Sequence, residues 1–142
     1  IGICQVNKLD KMSKIRDKIW DLYLNSIDKN IIEMPALPIK DCIHAKHLFN
    51  IGLPPSIDRE KFLQKASSKY QTLYAIHYKS IPSFSVYKEM GIFEGNEDLY
   101  LSKEWGEKNI SLSLSAAVSD KEVEKTINVL EILLNDAEIR KN

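Results

Sequence analysis

The sequence has few of the residues that build disulfide frameworks, phosphate loops or metal sites. Its 142 residues include two cysteines, five glycines and three histidines. Cys4 and Cys42 lie far apart without CxxC spacing, which favours reduced thiols in the cytoplasm over a disulfide framework. The glycines are scattered singly, so the chain lacks a glycine-rich loop that could hold a phosphate. Small disulfide-stabilised proteins and P-loop proteins are therefore excluded.

An excess of charge of one sign is also missing. Twenty basic and twenty acidic residues give a formal net charge of zero, so no overall field attracts nucleic acid or an anionic membrane. No apolar run approaches the roughly 20 residues that a transmembrane helix needs. The first residues lack the basic and then apolar pattern of a signal peptide. We expect neither nucleic acid nor a membrane as a partner.

The potentially reactive side chains do not form a recognisable catalytic or metal-binding motif. On a strand, His44 and His47 would lie on opposite faces, so together with His77 they do not predict a metal site. Neither cysteine lies in a context that would activate a thiolate. Three serines recur at strand spacing without a G-x-S-x-G motif, Ser111, Ser113 and Ser115. The residues alone predict no catalytic group and no metal ligand.

The composition is that of one compact domain, with 44% hydrophobic residues. Apolar residues follow helical spacing from the first turn to about Asn25, without a residue that would cap the start of this helix. The first residue is not methionine, and we expect the chain to be part of a longer protein. We also expect self-association through an apolar face of this helix, formed by Ile3, Val6, Ile15 and Ile19.

Three segments have strand character: 41–53, 71–78 and 110–114. Asp58 is placed to cap a helix over 59–69, and Pro82 and Gly91 bracket a short helix over 83–90. A further helix is predicted from Gly95 and Asn96 toward Trp105, with Gly106 and Asn109 interrupting it. We expect an α/β fold of the two-layer sandwich type, with a small three-stranded sheet and flanking helices.

The last helix has the strongest local signal in the chain. Ser119 and Glu122 form an S-x-x-E capping box directly before an apolar stripe. The stripe consists of Val123, Ile127, Leu130 and Leu134. This pattern predicts a helix over 120–137.

Five segments contain short motifs in a fixed order: IGICQVNKLDKM, AKHLFNIGL, DREKFLQKA, HYKSIPSFSVYKEMG and ISLSLSAAVSDKEVEKTINVL. The residues that match are Gly2, Gln5, Val6, Lys8, Leu9, Asp10, His47, Leu48, Phe49, Ile51, Asp58, Arg59, Glu60, Phe62, His77, Tyr78, Lys79, Ile81, Tyr87, Ser111, Leu112, Leu114, Ser119, Asp120, Glu122 and Val123. In this order the segments resemble the C-terminal portion of the DegT/DnrJ/EryC1/StrS family, the pyridoxal-phosphate-dependent nucleotide-sugar aminotransferases. Each motif is short, but the five together cover most of the chain.

The chain departs from the family pattern at three positions. Pro82 stands where the loop of the family has a second histidine, and Ser85 stands where a proline follows it. Ser113 stands where the family usually has proline. A polar contact between this loop and the substrate is therefore missing here.

The resemblance implies a C-terminal small domain over 1–142, with an interdomain helix at 1–29 and an α/β body at 30–142. Its sheet would be mainly antiparallel, as in the C-terminal domain of fold-type I pyridoxal-phosphate enzymes. The lysine that holds the cofactor as a Schiff base belongs to the large N-terminal domain of the family, which this chain lacks. Pyridoxal 5'-phosphate is expected in the full-length parent and not on this fragment, which should be inactive and has no catalytic, cofactor-binding or metal-binding residue.

The family resemblance also implies substrates and partners. The parent would transfer an amino group from an amino-acid donor, glutamate, to a keto nucleotide-sugar, for surface polysaccharide, glycan or antibiotic sugar biosynthesis. It would be a cytoplasmic homodimer. The loop would border the sugar pocket through His77, Tyr78, Lys79 and Tyr87.

Three readings remain open at this point. The chain is either a fragment of such an aminotransferase or a stand-alone interaction or regulatory module descended from the domain. A third reading stays within the family, because some members dehydrate sugars with histidine in place of the lysine.

Overall fold

The computed structural model describes residues 2–37, 39–94 and 99–141. It contains six α-helices in these ranges: α1 Gly2–Val6, α2 Leu9–Ser26, α3 Arg59–Tyr70, α4 Ser85–Glu89, α5 Tyr100–Lys108 and α6 Asp120–Leu134. Two strands form the sheet, β1 Phe49–Gly52 and β2 Asn109–Leu112. Short 3-10 helices occupy Ile81–Ser83 and Ala137–Ile139. Within these ranges no helix combines the length and apolarity that crossing a bilayer requires.

The sheet has fewer strands than expected. β1 and β2 pair antiparallel, with Phe49 opposite Leu112 and Ile51 opposite Ile110. The segment 71–78, which was predicted as a strand, contributes one bridge, in which Ala75 and Ser111 exchange two backbone hydrogen bonds of 3.1 and 2.7 Å. The α/β class and the antiparallel pairing are therefore confirmed. The prediction of a three-stranded sheet is corrected to two strands.

The first predicted strand is also shorter than expected. Only its last part, from Phe49, joins the ladder, and the residues before it form irregular chain in which Asp41 and Lys46 have positive φ angles of 67° and 47°. Such left-handed residues break the extended backbone that a strand needs. His44 and His47 consequently do not lie on opposite faces of a strand.

One face of the sheet belongs to the hydrophobic core. Because side chains alternate along a strand, Phe49 and Ile51 share this face with Ile110 and Leu112. All four are at most 2% exposed. Contacts between α2 and α6 and between α3 and α6 complete the core. The opposite face is polar and carries the candidate site.

The two best-capped helices match the predictions closely. The Asp58 carboxylate accepts hydrogen bonds from the backbone N–H groups of Glu60 and Lys61, at 3.0 and 3.1 Å, at the start of α3. Both halves of the Ser119 and Glu122 capping box are present at the start of α6. The predicted apolar stripe of α6 is buried, and the helix ends at Leu134, three residues before the predicted end at 137.

The first helix is interrupted. A turn at residues 7 and 8 separates α1 from α2, where one continuous helix was predicted. Ile19 is 1% exposed and Ile15 packs against the core, so neither belongs to an external apolar face. Ile3 and Val6 are 80% and 69% exposed. Self-association through α1 stays a prediction, and a monomer in sedimentation at high protein concentration would contradict it.

Two buried tyrosines donate hydrogen bonds to backbone carbonyls. The Tyr23 hydroxyl donates to the Ser113 carbonyl at 2.9 Å, and the Tyr74 hydroxyl donates to the Thr126 carbonyl at 2.7 Å. Burial raises the pKa of Tyr23 to about 12 and also raises the pKa of Tyr74. The folded chain therefore retains these phenol protons at a pH where the unfolded chain has lost them.

Alkaline pH is expected to destabilise the fold through these tyrosines. An unfolded tyrosine ionises near pH 10, so the free energy of unfolding should fall from about pH 10 to pH 12, by up to about 1.4 kcal/mol per pH unit for each. Urea unfolding of Tyr23→Phe and of the exposed control Tyr78→Phe separates this effect from lysine titration. Equal pH slopes for the two variants would contradict the assignment.

Candidate functional site

The candidate site is built on the polar face of the sheet. Asn50 on β1 lies opposite Ser111 on β2, and Gly52 lies opposite Asn109. Ser111 and Asn109 are 3% and 0% exposed. Segment 77–80 and α5 cover this face. Buried polar side chains need hydrogen-bond partners, and here they find them in the covering loop.

His77 is held by this polar face. Its Nδ1 atom lies 2.8 Å from the Ser111 Oγ atom, and the Ser111 hydroxyl in turn donates to the Asn50 side-chain oxygen. The Asn50 amide group donates to the backbone carbonyl of His77 at 3.5 Å. The peptide bond between His77 and Tyr78 is cis. His77 is thus linked to β2 through its imidazole and to β1 through its backbone carbonyl.

Asn109 holds the next residue of the loop. Its side-chain amide donates to the Tyr78 carbonyl at 3.3 Å and to the Trp105 carbonyl at 2.8 Å. The Tyr78 side chain itself is 74% exposed. The backbone of the loop is therefore fixed at Tyr78 while the ring faces outward.

α5 supports the loop from the other side. Gly106 lies inside this helix, where a Cβ atom would come within 2.6 Å of the Ser80 nitrogen. The Ser80 hydroxyl lies 2.9 Å from the Ser102 hydroxyl. Gly106 was predicted to interrupt the helix, but the helix continues through it to Lys108. The missing side chain gives the loop room to approach.

Arg59 joins α3 to the end of α5. Its guanidinium group donates to the carbonyls of Gly106 and Asn109, at 2.6 and 3.3 Å. Carbonyls at a helix C-terminus lack partners within the helix and carry partial negative charge, which a cation satisfies. Burial lowers the pKa of this guanidinium, although it remains charged. Within the DREKF motif, Asp58 therefore caps α3, Arg59 caps α5 and Phe62 fills the core.

The structure does not gather the four predicted substrate-binding residues in one cavity. His77 lines a groove of about 420 Å³ together with His47 and Ser113. Tyr87, on α4, lines a separate cavity of about 370 Å³ with Lys88 and Phe93. The Tyr78 and Lys79 side chains are exposed. Their role as substrate ligands remains a prediction.

Sequence reasoning missed the roles of Asn50, Asn109 and Arg59, although Arg59 was named as part of a motif. Asn50 lies in β1 between Phe49 and Ile51, and both of these neighbours are fully buried. A polar residue at such a position signals a buried hydrogen-bonded partner, although the sequence does not say which one. Asn109 was interpreted only as a helix interruption.

The ion-paired lysines do not fit the attachment of a carbonyl cofactor. Every lysine lies within the described residues, and four are partly buried. Three of the four are paired with carboxylates: Lys46 with Asp17, Lys65 with Asp136 and Glu138, and Lys108 with Glu33 and Glu104. The fourth, Lys103, lines the cavity beside Tyr87. Hydrogen bonds to these carboxylates raise the pKa of Lys65 and Lys108. A nucleophilic amine needs the opposite shift.

The comparison with protein families identifies the chain. A family model for the DegT/DnrJ/EryC1/StrS aminotransferase family matches residues 1–131. The chain belongs to this family. Members of the family with solved structures share its fold, and some contain pyridoxal phosphate or pyridoxamine phosphate.

Three of these structures illustrate the extent of the likeness. A Streptococcus pneumoniae protein assigned as a sugar aminotransferase has a TM-score of 0.80 and 22% identity over 94% of this chain and 33% of its own. TlmJ, an aminotransferase from Streptoalloteichus hindustanus, has a TM-score of 0.77 and 18% identity, over 94% and 34%. PseC from Helicobacter pylori, an aminotransferase of pseudoaminic acid biosynthesis, has a TM-score of 0.76 and 20% identity, over 93% and 35%.

This DegT/DnrJ/EryC1/StrS chain therefore spans about a third of the length of the structures it matches. The family assignment confirms the resemblance drawn from the five motifs. The likeness to these structures shows the fold.

Proposed function

We propose that residues 1–142 are the C-terminal small domain of a pyridoxal-phosphate-dependent sugar aminotransferase. Residues 1–29 would form the interdomain helix and residues 30–142 the α/β body. The observation that carries this proposal is the family match over residues 1–131, combined with coverage of 94% of this chain and 33% of a full-length neighbour. The large domain would contain the lysine that carries the cofactor.

The parent enzyme would aminate a keto nucleotide-sugar, with an amino acid such as glutamate as donor. Pyridoxal phosphate supplies the transfer chemistry when it is bound to the large domain. The parent would act as a cytoplasmic homodimer, for surface polysaccharide, glycan or antibiotic sugar biosynthesis. The fragment alone would bind no cofactor and would be inactive, because the lysine that forms the Schiff base would lie in the large domain.

This chain would contribute the rim of the sugar pocket. His77 is anchored to the sheet, while Tyr78 presents a ring that is 74% exposed and Lys79 presents an exposed ammonium group. An ammonium group pairs with phosphate, and an aromatic ring packs against a sugar or a base. Three apolar side chains nearby in the sequence are also exposed: Ile81 by 58%, Phe84 by 45% and Met90 by 65%. Such a surface suits contact with another domain or subunit.

Incubation of the chain with pyridoxal phosphate tests the proposal. After borohydride reduction and digestion, mass spectrometry should find only low, uniform modification of surface lysines. The same chain unfolded in urea is the control, because unfolding exposes every amine equally. One lysine that is modified nearly completely in the folded chain alone would overturn the proposal.

The reading frame upstream of Ile1 provides a second test. A frame that is long enough for a cofactor domain and contains its lysine motif is expected. A start codon close to Ile1 would favour the stand-alone module, and histidine at the lysine position would favour a sugar dehydratase.

A further inference from the structure

We propose that the polar face of the sheet fixes His77 in one neutral tautomer, with the proton on Nδ1 and with Nε2 offered to the groove as a hydrogen-bond acceptor. His77 would therefore bind a donor group of a ligand, such as a sugar hydroxyl, while a phosphate would be bound elsewhere. Only the choice of a sugar as ligand rests on the proposed function.

The neighbours of the Asn50 side chain determine its orientation. Its Nδ2 atom lies 3.5 Å from the backbone carbonyl oxygen of His77, and its Oδ1 atom faces the Ser111 hydroxyl. The opposite orientation would place the amide oxygen against the His77 carbonyl, so that two acceptors would face each other. The carbonyl therefore determines which atom of Asn50 meets Ser111.

The single proton of the Ser111 hydroxyl determines which nitrogen of His77 is protonated. A hydroxyl group has one proton, and here Ser111 donates it to the Asn50 oxygen. The contact of 2.8 Å between Ser111 Oγ and His77 Nδ1 then requires the proton to come from the histidine. The hydrogen bonds close a ring from the His77 carbonyl through Asn50 and Ser111 to the His77 imidazole.

Burial keeps this ring of hydrogen bonds in place. Ser111 is 3% exposed, and its backbone is paired with Ala75 on one side and held in the β1–β2 ladder on the other. The serine backbone is therefore fixed by the sheet, which limits the partners of its side chain to groups on this face. Because its Nδ1 atom is held by these neighbours, the His77 imidazole presents its Nε2 atom in a defined position.

The Nε2 atom is available to a ligand. Within residues 2–37, 39–94 and 99–141 it has no hydrogen-bond partner, and it is not among the buried unsatisfied atoms. His77 lines the groove of about 420 Å³ with His47 and Ser113. A neutral imidazole with Nδ1 protonated can only accept at Nε2, so it suits a hydroxyl or N–H group and repels an oxygen that has no proton.

Nitrogen NMR of the 142-residue chain with 15N-labelled histidine tests the tautomer directly. The spectra are recorded at a pH where the His77 ring is neutral, and comparison with His77→Gln identifies its signals among those of the three histidines. We expect the shift of a protonated nitrogen at Nδ1 and of an unprotonated nitrogen at Nε2. A proton on Nε2, or averaged shifts for both nitrogens, would overturn the proposal.

Two variants test the mechanism. Ser111→Ala should release the His77 imidazole and average the shifts of its two nitrogens. The control Ser113→Ala, two residues further along the chain, should leave these shifts unchanged. Asn50→Asp removes the donor to the His77 carbonyl but keeps an acceptor for the Ser111 hydroxyl, so the proton should remain on Nδ1. If Ser111→Ala does not fold, the wild-type spectrum and Asn50→Asp still decide the question.

Inorganic sulfate tests the ligand class, because sulfate can only accept hydrogen bonds. Sulfate should leave the Nε2 shift of neutral His77 unchanged, and a saturable change would contradict the proposal. These measurements use neither pyridoxal phosphate nor turnover. A failure of the tautomer assignment is thus distinguishable from a failure of the proposed aminotransferase role, which the borohydride experiment tests separately.

Discussion

Phe49→Ala is expected to lower the free energy of unfolding by about 3–5 kcal/mol, the usual range for a buried phenylalanine. Phe49 is 0% exposed, and its ring centre lies 4.7 Å from that of Trp20 and 4.9 Å from that of Tyr23. These contacts attach α2 to the first strand. A cavity here would separate the helix from the sheet, and chemical denaturation followed by circular dichroism measures the loss.

Phe84→Ala is the matched control for this prediction. Phe84 is 45% exposed and precedes α4, so its removal should change the free energy of unfolding by less than about 0.5 kcal/mol. Similar losses for the two variants would show that Phe49 does not organise the core as described.

Gly106→Ala is expected to destabilise the chain by about 1–3 kcal/mol, although alanine favours a helix over glycine by about 1 kcal/mol. The added Cβ atom would lie 2.6 Å from the Ser80 nitrogen and 2.9 Å from the Ser80 Cβ atom. Neither atom is the end of a flexible side chain, so the loop or the helix must shift. Hydrogen exchange of the amides of residues 77–83 should increase.

Gly2→Ala provides the control of opposite sign. Gly2 is the first residue of α1, and among the described residues nothing lies within 4 Å of the position of its Cβ atom. The substitution should be neutral or slightly stabilising. If Gly106→Ala stabilises the chain as much as Gly2→Ala does, the close approach of the loop to α5 is wrong.

The helices with local signals were predictable, whereas the sheet was only partly so. Asp58 and Ser119 act within three residues of their own positions, so the starts of α3 and α6 could be inferred without knowledge of the fold. The strand pattern over 41–53 could not reveal the left-handed residues at Asp41 and Lys46. Pairing also depends on residues that are distant in sequence, and Ala75 has only one bridge to Ser111.

The candidate site was also predictable only where the signal was local in sequence. His77 was selected through a motif, but its partner Ser111 lies 34 residues away, and Asn50 lies 61 residues from Ser111. Local spacing contains no information about such contacts. Gly106 was misinterpreted because glycine ordinarily disfavours a helix, and the approach of Ser80 reverses that inference.

The loop between Ala75 and Ser80 is held at its two ends. Ala75 is paired with Ser111, and Ser80 rests on Gly106. Between them, the Tyr78 and Lys79 side chains extend outward and form no part of the core. Evolution could exchange these two residues without rebuilding the scaffold that carries them, so under the proposed function they are the positions at which recognition by the loop could change. The same property makes them natural positions for redesigning specificity in the laboratory.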